Sequence, residues 1–143
     1  MENFVDPTRE QFGTMMKLPD TGVIHMLNML MFKETATYPD DHPNSEKTFT
    51  GAEAYAHYGE ESGPIFRRVG GKIFATFEPK LVLIGPDDEV WDAIFIAEYP
   101  NASAFGEMVK DPDYQKAVVH RQAAVKNSRL IRMAPRDPGQ GFA

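Results

Sequence analysis

Four runs of apolar and β-branched residues stand out along the chain, each bounded by polar, glycine or proline positions. Such runs predict strands, and here they lie at residues 23–32, 72–85, 91–99 and 128–134. Pro79 is expected to interrupt the second strand, because proline cannot donate to a sheet ladder. Residues 85–88 (Gly-Pro-Asp-Asp) are typical of a turn, so the second and third strands are predicted to pair as an antiparallel hairpin.

Apolar residues at helical spacing predict two long helices, over 50–69 and 112–127. Thr50 and Glu53 have the spacing of a capping box, and the Gly-Pro pair at 63–64 is expected to bend or break the first of these helices. Two shorter helices are predicted, one from Asp6-Pro7 to about Lys17 and one capped by Asn101 or Ser103. The polar side of the 50–69 helix is predicted to point outward with Glu53, His57, Glu60, Arg67 and Arg68.

The order of these elements, apart from the first short helix, is strand, helix, strand, strand, helix, strand. This order predicts an α+β, ferredoxin-like βαββαβ fold, with one four-stranded antiparallel sheet and the helices on one face. We expect residues 1–22 to form a helical extension and 23–134 the domain. Residues 135–143 are rich in proline and glycine and are expected to be a flexible tail.

Both faces of the predicted sheet require cover. Residues 23–32 and 91–97 do not alternate between apolar and polar, as a sheet with one wet face would. Two helices cover one face, and a second copy of the chain packed sheet to sheet would cover the other, which predicts a homodimer. The alternative is that the first helix and the loop at 33–49 close the second face within one chain.

Two stretches of the chain resemble a known group of proteins. They are AEAYAHYGEESGPIFRRVGGKI and WDAIFIAEYPNASAFGEMVKDPDYQKAVVHRQAAVKNSRLI, and the resemblance extends over about residues 23–134. The chain is similar to the dimeric α+β barrel superfamily, and within it to the bacterial family called domain of unknown function 1330. The resemblance implies a homodimer whose sheets meet back to back. Other members of the superfamily are cofactor-free monooxygenases, haem enzymes, lactone isomerases and binding proteins, so this fold leaves the activity open.

Composition excludes several classes of partner and site. The net charge of −6 would repel nucleic acid and anionic membranes, and no apolar run is long enough to span a bilayer. The chain has no cysteine, hence no disulfide or thiolate metal site, and its first residues do not have the pattern of a signal peptide. We expect a cytoplasmic protein without a cofactor. We also expect no metal site at Asp40, Asp41 and His42, because these residues lie consecutively on a proline-flanked, solvated loop.

The 50–69 helix carries polar and small residues where a core stripe is expected. Tyr55, Tyr58, Gly59 and Ser62 share the inward side of this helix. Small residues leave space below a helix, and buried hydroxyls need partners. The stripe predicts either a ligand cavity between helix and sheet or a core in which the tyrosines bond to backbone carbonyls.

Arg121 lies in the centre of the apolar stripe of the second long helix, with His120 on its flank. A buried arginine needs a partner. Arg121 is therefore either an anchor for a ligand carboxylate or a structural brace, with Asp92 or Glu98 as the expected mate. His120 is a candidate for proton exchange at the rim of the pocket, or an ordinary residue of the helix flank.

The first strand holds two polar residues, His25 and Asn28, whose spacing puts them on opposite faces. Periodicity does not show which of them faces the helices. The superfamily resemblance implies that Asn28 lines the pocket and that His25 lies toward the dimer interface; either can instead be a satisfied polar residue of the core.

The predicted ligand-binding residues are therefore Asn28, Tyr55, Tyr58, Ser62, His120 and Arg121. They support three hypotheses: an enzyme without cofactor that acts on an apolar or aromatic acid, a protein that only binds such a metabolite, and a purely structural dimeric module. Hydroxyl and amide groups stabilise an enolate or oxyanion, which is the chemistry that the first hypothesis needs. No catalytic residue is assigned, because no paired carboxylates or nucleophile–base pair occurs.

Overall fold

A computed structural model describes residues 2–142 and contains four strands and four α-helices within them. In chain order these are α1 (Arg9–Lys17), β1 (Ile24–Phe32), α2 (Gly51–Arg68), β2 (Lys72–Phe77), β3 (Ala93–Tyr99), α3 (Ala102–Lys110), α4 (Pro112–Ala124) and β4 (Val125–Met133). The strands form one antiparallel sheet in the order β2-β3-β1-β4. The predicted ferredoxin-like α+β fold is confirmed.

The register of the sheet assigns each residue of β1 to a face. Met26 pairs with Ala97 and Leu30 with Ala93, and both β1 side chains are buried in the core below the helices. Paired residues point to the same side of a sheet. His25 and its neighbours at odd positions, Leu27 and Met29, therefore lie on the opposite face, where Leu27 and Met29 are only half-buried.

Capping residues determine where the helices that cover the Met26 and Leu30 side of the sheet begin. Thr50 and Glu53 form the predicted capping box at the start of α2, and Asn101 caps α3. Helix α2 continues through Pro64, so the predicted break at Gly63-Pro64 is absent. Pro64 is exposed, so the carbonyl that loses its N–H partner is on the side open to water.

The N-terminal segment departs from the prediction at its start. Helix α1 begins after Thr8 rather than at Asp6-Pro7, because the Thr8 hydroxyl accepts from the Gln11 N–H while the Gln11 side chain bonds back to Thr8. The segment then packs on the helix side of the domain. Arg132 of β4 donates to the carbonyls of Met15 and Pro19, each at 3.0 Å.

The second strand is shorter than predicted. It ends at Phe77, and residues 78–92, here named the β2–β3 arm, connect it to β3 without regular structure. The expected hairpin pairing of β2 with β3 is present, but the turn at 85–88 lies within the arm and joins no strands directly. Residues 134–139, 141 and 142 are exposed, and this segment contains a 3₁₀ turn, Pro138–Gln140.

Candidate functional site

A cavity of about 740 Å³ lies between α2 and the sheet. Its walls come from the inward side of α2, the helix-facing side of β1, β2 and β3, and one residue of α3. The lining residues are Asn28, Tyr55, Tyr58, Gly59, Ser62, Gly63, Phe66, Arg67, Gly71, Lys72, Ile73, Thr76, Phe95, Ala97, Tyr99 and Met108. Ile73 and Thr76 are exposed residues of the edge strand β2, so the cavity opens at this edge.

The space exists because α2 carries small residues where it crosses the sheet. A Cβ atom added at Gly59 would have no other atom within 4 Å. Gly63 follows one turn later. Because it has no side chain, the Arg67 guanidinium lies over it, with Nη1 3.0 Å from the position that an added Cβ would take. A helix with leucine at both positions would fill part of this volume.

Tyrosines make up the deep aromatic part of the wall. The Tyr58 and Tyr114 hydroxyls are 2.8 Å apart, and the Tyr55 ring lies 5.2 Å from that of Tyr58. Burial raises the pKa of Tyr55, Tyr58 and Tyr114, so all three phenols stay protonated near neutral pH. Among the described residues, the Tyr55 hydroxyl has no hydrogen-bond partner, which leaves it available as a donor.

Two further polar residues face the cavity. Asn28 donates from Nδ2 to the Met26 carbonyl at 3.1 Å, an arrangement that keeps its Oδ1 as an acceptor. The Ser62 hydroxyl donates to the Tyr58 carbonyl one turn earlier in α2, at 2.7 Å, and so is satisfied by its own helix. His25 lies on the other face of the sheet, with Nε2 2.9 Å from Glu98 Oε1.

Arg67 was predicted to point outward, and this is wrong in part, because the residue is exposed but lines the mouth of the cavity. Its neighbour Arg68 forms an ion pair with Asp111. Lys72 belongs to the wall, but its ammonium lies 3.3 Å from Glu98 Oε2 on the opposite face. Within the part of the chain that the structure describes, the Arg67 guanidinium has no acidic partner.

Arg121 does not line the cavity, and its predicted partners are wrong. It is buried and donates to the Val5 carbonyl at 2.5 Å and to the Ser128 hydroxyl at 3.4 Å. Glu98 lies on the other face of the sheet and Asp92 accepts from the Phe32 N–H at 2.8 Å. These hydrogen bonds connect the N-terminal segment to α4 and β4.

His120 does not line the cavity either. It is buried on the far side of α2, where Nδ1 lies 2.6 Å from the Tyr38 hydroxyl and Nε2 lies 2.6 Å from Glu61 Oε2. The rings of His42 and His57 each have their centroid 5.6 Å from that of His120. His57 was predicted to point outward and His42 to be solvated, but both are half-buried in this group. We name Tyr38, His42, His57, Glu61 and His120 the histidine cluster.

The five residues of the histidine cluster come from three separate segments, namely the loop after β1, α2 and α4, so the sequence did not predict that they meet. Tyr38 and His42 belong to the long loop after β1, which has no periodicity from which a facing side can be deduced. The sequence signal for the cluster was His120, because the apolar pattern of α4 predicts that it lies beside the buried stripe.

Further features of the described chain bear on function. Within residues 2–142, no helix combines the length and apolarity that crossing a bilayer would require. The same residues contain no group of three or more His, Cys, Asp or Glu side chains arranged to hold a metal ion.

The fold and the cavity define a ferredoxin-like α+β protein with an aromatic recess below one helix. Residues 45–133 match the family described as "Domain of unknown function (DUF1330)", and the chain belongs to this family. The chain is 51% identical to RPA0582, a protein of unknown function from Rhodopseudomonas palustris, over 96% of this chain and 100% of that one, with a TM-score of 0.88. A methylated form of RPA0582 gives a TM-score of 0.90 at the same identity, over 97% of this chain and 99% of that one.

A more distant similarity is limited to the fold. SnoaB, a cofactor-independent oxygenase from Streptomyces nogalater, is 14% identical, with a TM-score of 0.51 over 82% of this chain and 96% of that one. No curated protein matches the chain.

Proposed function

We propose that this protein binds a small apolar or aromatic carboxylic acid in the cavity below α2. The observation that carries the proposal is the combination of an aromatic wall with one cation at the mouth, Arg67, that has no acidic partner among residues 2–142. The cavity volume of about 740 Å³ lies within the range of small-molecule sites. Binding is the function that the geometry supports best.

The proposed orientation follows from where polar and apolar groups lie. The carboxylate would meet Arg67 at the open edge, because a guanidinium pairs with a carboxylate in a two-pronged arrangement. The apolar body would extend inward between Phe66 and Phe95 toward Tyr55 and Tyr58. The protonated phenols would then donate to an oxygen at the inner end of the ligand, and Asn28 Oδ1 would accept from a ligand hydroxyl.

Arg67→Gln and Arg68→Gln form a matched pair for testing this proposal, because both arginines lie at the end of α2. Benzoate, phenylacetate, 2-naphthoate and octanoate would first be screened by thermal shift, and the affinity of a hit measured by calorimetry. We expect Arg67→Gln to weaken binding about tenfold or more, the loss of one charge-assisted hydrogen bond. Arg68→Gln, whose arginine pairs with Asp111, is expected to bind as the parent does.

The amide of each acid serves as a second control. A primary amide keeps the shape of the ligand and removes its charge, so its affinity should be weak for the parent and unchanged by Arg67→Gln. Equal loss of affinity in both arginine variants would argue against Arg67 as the anchor. The absence of binding by every acid in the series would remove the proposal.

A second candidate function is a cofactor-independent enzyme that removes a proton next to a carbonyl group. It is favoured by the presence of Tyr55 and Tyr58 in the same cavity wall as Asn28, because the phenol donors would stabilise an enolate oxygen. The described lining residues include no Asp, Glu or His, so the proton would leave to water or to a group of the ligand. Exchange of the α-hydrogens of phenylpyruvate in D₂O, followed by NMR, tests this candidate; a rate equal in the parent and in Tyr58→Phe would remove it.

We also infer that the protein is a homodimer formed through the sheet face that carries Leu27, Met29 and Ile96. The chain of 16.1 kDa exposes 9,495 Å², whereas a compact monomer of this mass exposes about 7,400 Å². An excess of about 2,000 Å² is of the size that a permanent interface hides. Sedimentation equilibrium at micromolar concentration is expected to give twice the chain mass, and a stable monomer would contradict the inference.

A further inference from the structure

The β2–β3 arm exposes several large apolar side chains. Leu81, Leu83 and Ile84 are 78%, 85% and 93% exposed, and Val90 is 67% exposed. Phe77, where β2 ends, is 57% exposed. Single exposed apolar residues are ordinary on a monomer, but a contiguous group of this kind marks an interaction site.

The end of this arm next to β3 is fixed to the sheet, and its tip is exposed. The Asp92 N–H donates to the Leu30 carbonyl at 2.8 Å, and the Asp92 carboxylate accepts from the Phe32 N–H at the same distance. Trp91 is buried, with the Arg129 guanidinium 5.7 Å from its ring. Glu89 Oε1 lies 3.9 Å from Arg129 Nη2. The exposed leucines thus project from an anchored stem.

The contact of Trp91 and Glu89 with Arg129 also indicates on which side of the sheet the arm lies. Arg129 pairs with Met29, so its side chain points to the same face as Leu27 and away from the helices. That face is the one through which the homodimer is inferred to form. Its half-buried residues Ile94 and Ile96, together with Ile131, which is 46% exposed, continue the apolar surface of the arm across the sheet.

We propose that the β2–β3 arm is a dimerisation arm whose tip, Leu81, Leu83 and Ile84, packs on a second copy of this chain. The inference rests on the homodimer proposed above and specifies its interface. A second copy fits because it offers an apolar sheet face of the same composition, and a two-fold axis places each arm on the other subunit in the same way. The excess exposed area of about 2,000 Å² is large enough for both surfaces, which one interface would hide together.

The occupant is a protein surface of this chain rather than the small ligand of the cavity. No residue of the described arm lines that cavity, and the arm lies beyond the end of β2. Variants in the arm are therefore expected to change assembly while carboxylate binding at Arg67 is measured independently.

The double variant Leu83→Ser, Ile84→Ser tests the arm without touching its anchored base. Sedimentation equilibrium over a dilution series gives the dimer dissociation constant of the parent and of the variant. We expect the constant to rise at least about tenfold, with an unchanged circular dichroism spectrum. Leu18→Ser is the control, because Leu18 is 48% exposed at the end of α1 and remote in sequence from the arm; its dissociation constant should equal that of the parent.

The absence of cysteine allows an independent measurement of contact. In Ile84→Cys, maleimide labelling should be at least about tenfold slower when the protein is dimeric than after dilution below the dissociation constant. Leu18→Cys should be labelled equally fast at both concentrations. Two results would contradict the role of the arm but not the homodimer. One is a serine double variant with the dissociation constant of a dimeric parent, and the other is equally fast labelling of the Ile84→Cys thiol in both states. A monomeric parent would overturn both proposals.

Discussion

The Nδ1 atom of His120 lies 2.6 Å from the hydroxyl of Tyr38, although the two residues are 82 positions apart in the chain. The Nε2 atom of the same ring lies 2.6 Å from Glu61 Oε2. A carboxylate accepts only, so in the neutral ring Nε2–H donates to Glu61 and Nδ1 accepts from Tyr38. One buried imidazole thus ties the loop after β1 to both α2 and α4.

Tyr38→Phe is expected to destabilise the protein by about 1–3 kcal/mol. The substitution keeps the ring and removes the hydroxyl, which leaves the buried Nδ1 of His120 without its donor. Urea unfolding followed by circular dichroism measures the change in free energy.

The double variant Tyr38→Phe, His120→Phe shows whether this loss comes from the pair. Both hydrogen-bonding groups are then absent, so the two single losses should not add, and the difference should be of the order of 0.5–3 kcal/mol. Additive losses would mean that the two side chains act independently, contrary to the 2.6 Å contact.

Stability is expected to fall between about pH 7 and pH 5 because of His120. Burial lowers the pKa of His120 from its usual 6.5, against the opposing effect of Glu61, and the neighbouring His42 and His57 lower it further. Below the unfolded pKa the unfolded chain binds a proton that the folded ring takes up less readily, so the free energy of unfolding decreases as the pH falls. Urea titrations at half-unit pH steps measure this slope.

His120→Gln separates this effect from that of the carboxylates. Hydrogen bonds from His25 and Arg68, respectively, hold the pKa of Glu98 and Asp111 below their usual 4.5 and 3.8, so their contribution is lost only in more acidic solution. The parent should lose more stability than His120→Gln between pH 7 and 5, and equal losses would contradict the assignment to His120.

Local patterns were sufficient to predict the fold. Four apolar runs, the helical spacing between them, a capping box at Thr50 and Glu53, and the order of elements led to the antiparallel sheet with helices on one face. The inward stripe of α2 was also predictable, because Tyr55, Tyr58 and Ser62 have helical spacing within this 18-residue helix. Their role in binding stays a prediction.

The partners that a buried polar side chain meets across the fold could not be predicted from the same patterns. Helical phase identified Arg121 as an inward residue, but the group that meets it is the Val5 carbonyl, 116 positions away in the N-terminal extension. A backbone carbonyl has no sequence signature, so the search for a carboxylate led to Asp92 and Glu98. The length of β2 was overestimated because Leu81, Leu83 and Ile84 are apolar, as residues of a strand would be, but are exposed.

The same substitution at two glycines of α2 is expected to have opposite effects. Gly51→Ala would put a Cβ 2.2 Å from the Lys33 carbonyl oxygen and 2.8 Å from that of Ala124. Both are backbone atoms, so the start of α2 must move, and we expect a loss of about 1–3 kcal/mol or more. Gly59→Ala meets no atom within 4 Å and should gain about 0.5–1 kcal/mol from helix propensity.

Thermal and urea unfolding of the two variants provide the comparison, with each serving as the control of the other. Gly59→Ala should also retain carboxylate binding, while the larger Gly59→Leu should weaken it by filling the cavity. A destabilised Gly59→Ala would mean that the space beside α2 is closed in solution.

Arg121→Met is expected to cost about 1.5–3 kcal/mol, the value of hydrogen bonds from a charged donor, and to leave carboxylate binding unchanged. The substitution removes the donors to Val5 and Ser128 but strands no buried carboxylate, because Asp6, 4.0 Å away, is half exposed. Loss of the Val5 contact should free the N-terminal segment, measured as faster proteolysis before α1. Asp6→Asn is the matched control and should change stability by less than about 0.5 kcal/mol. A loss of about 3–5 kcal/mol would indicate a buried ion pair instead, and weakened binding of the acids would restore Arg121 as a ligand anchor.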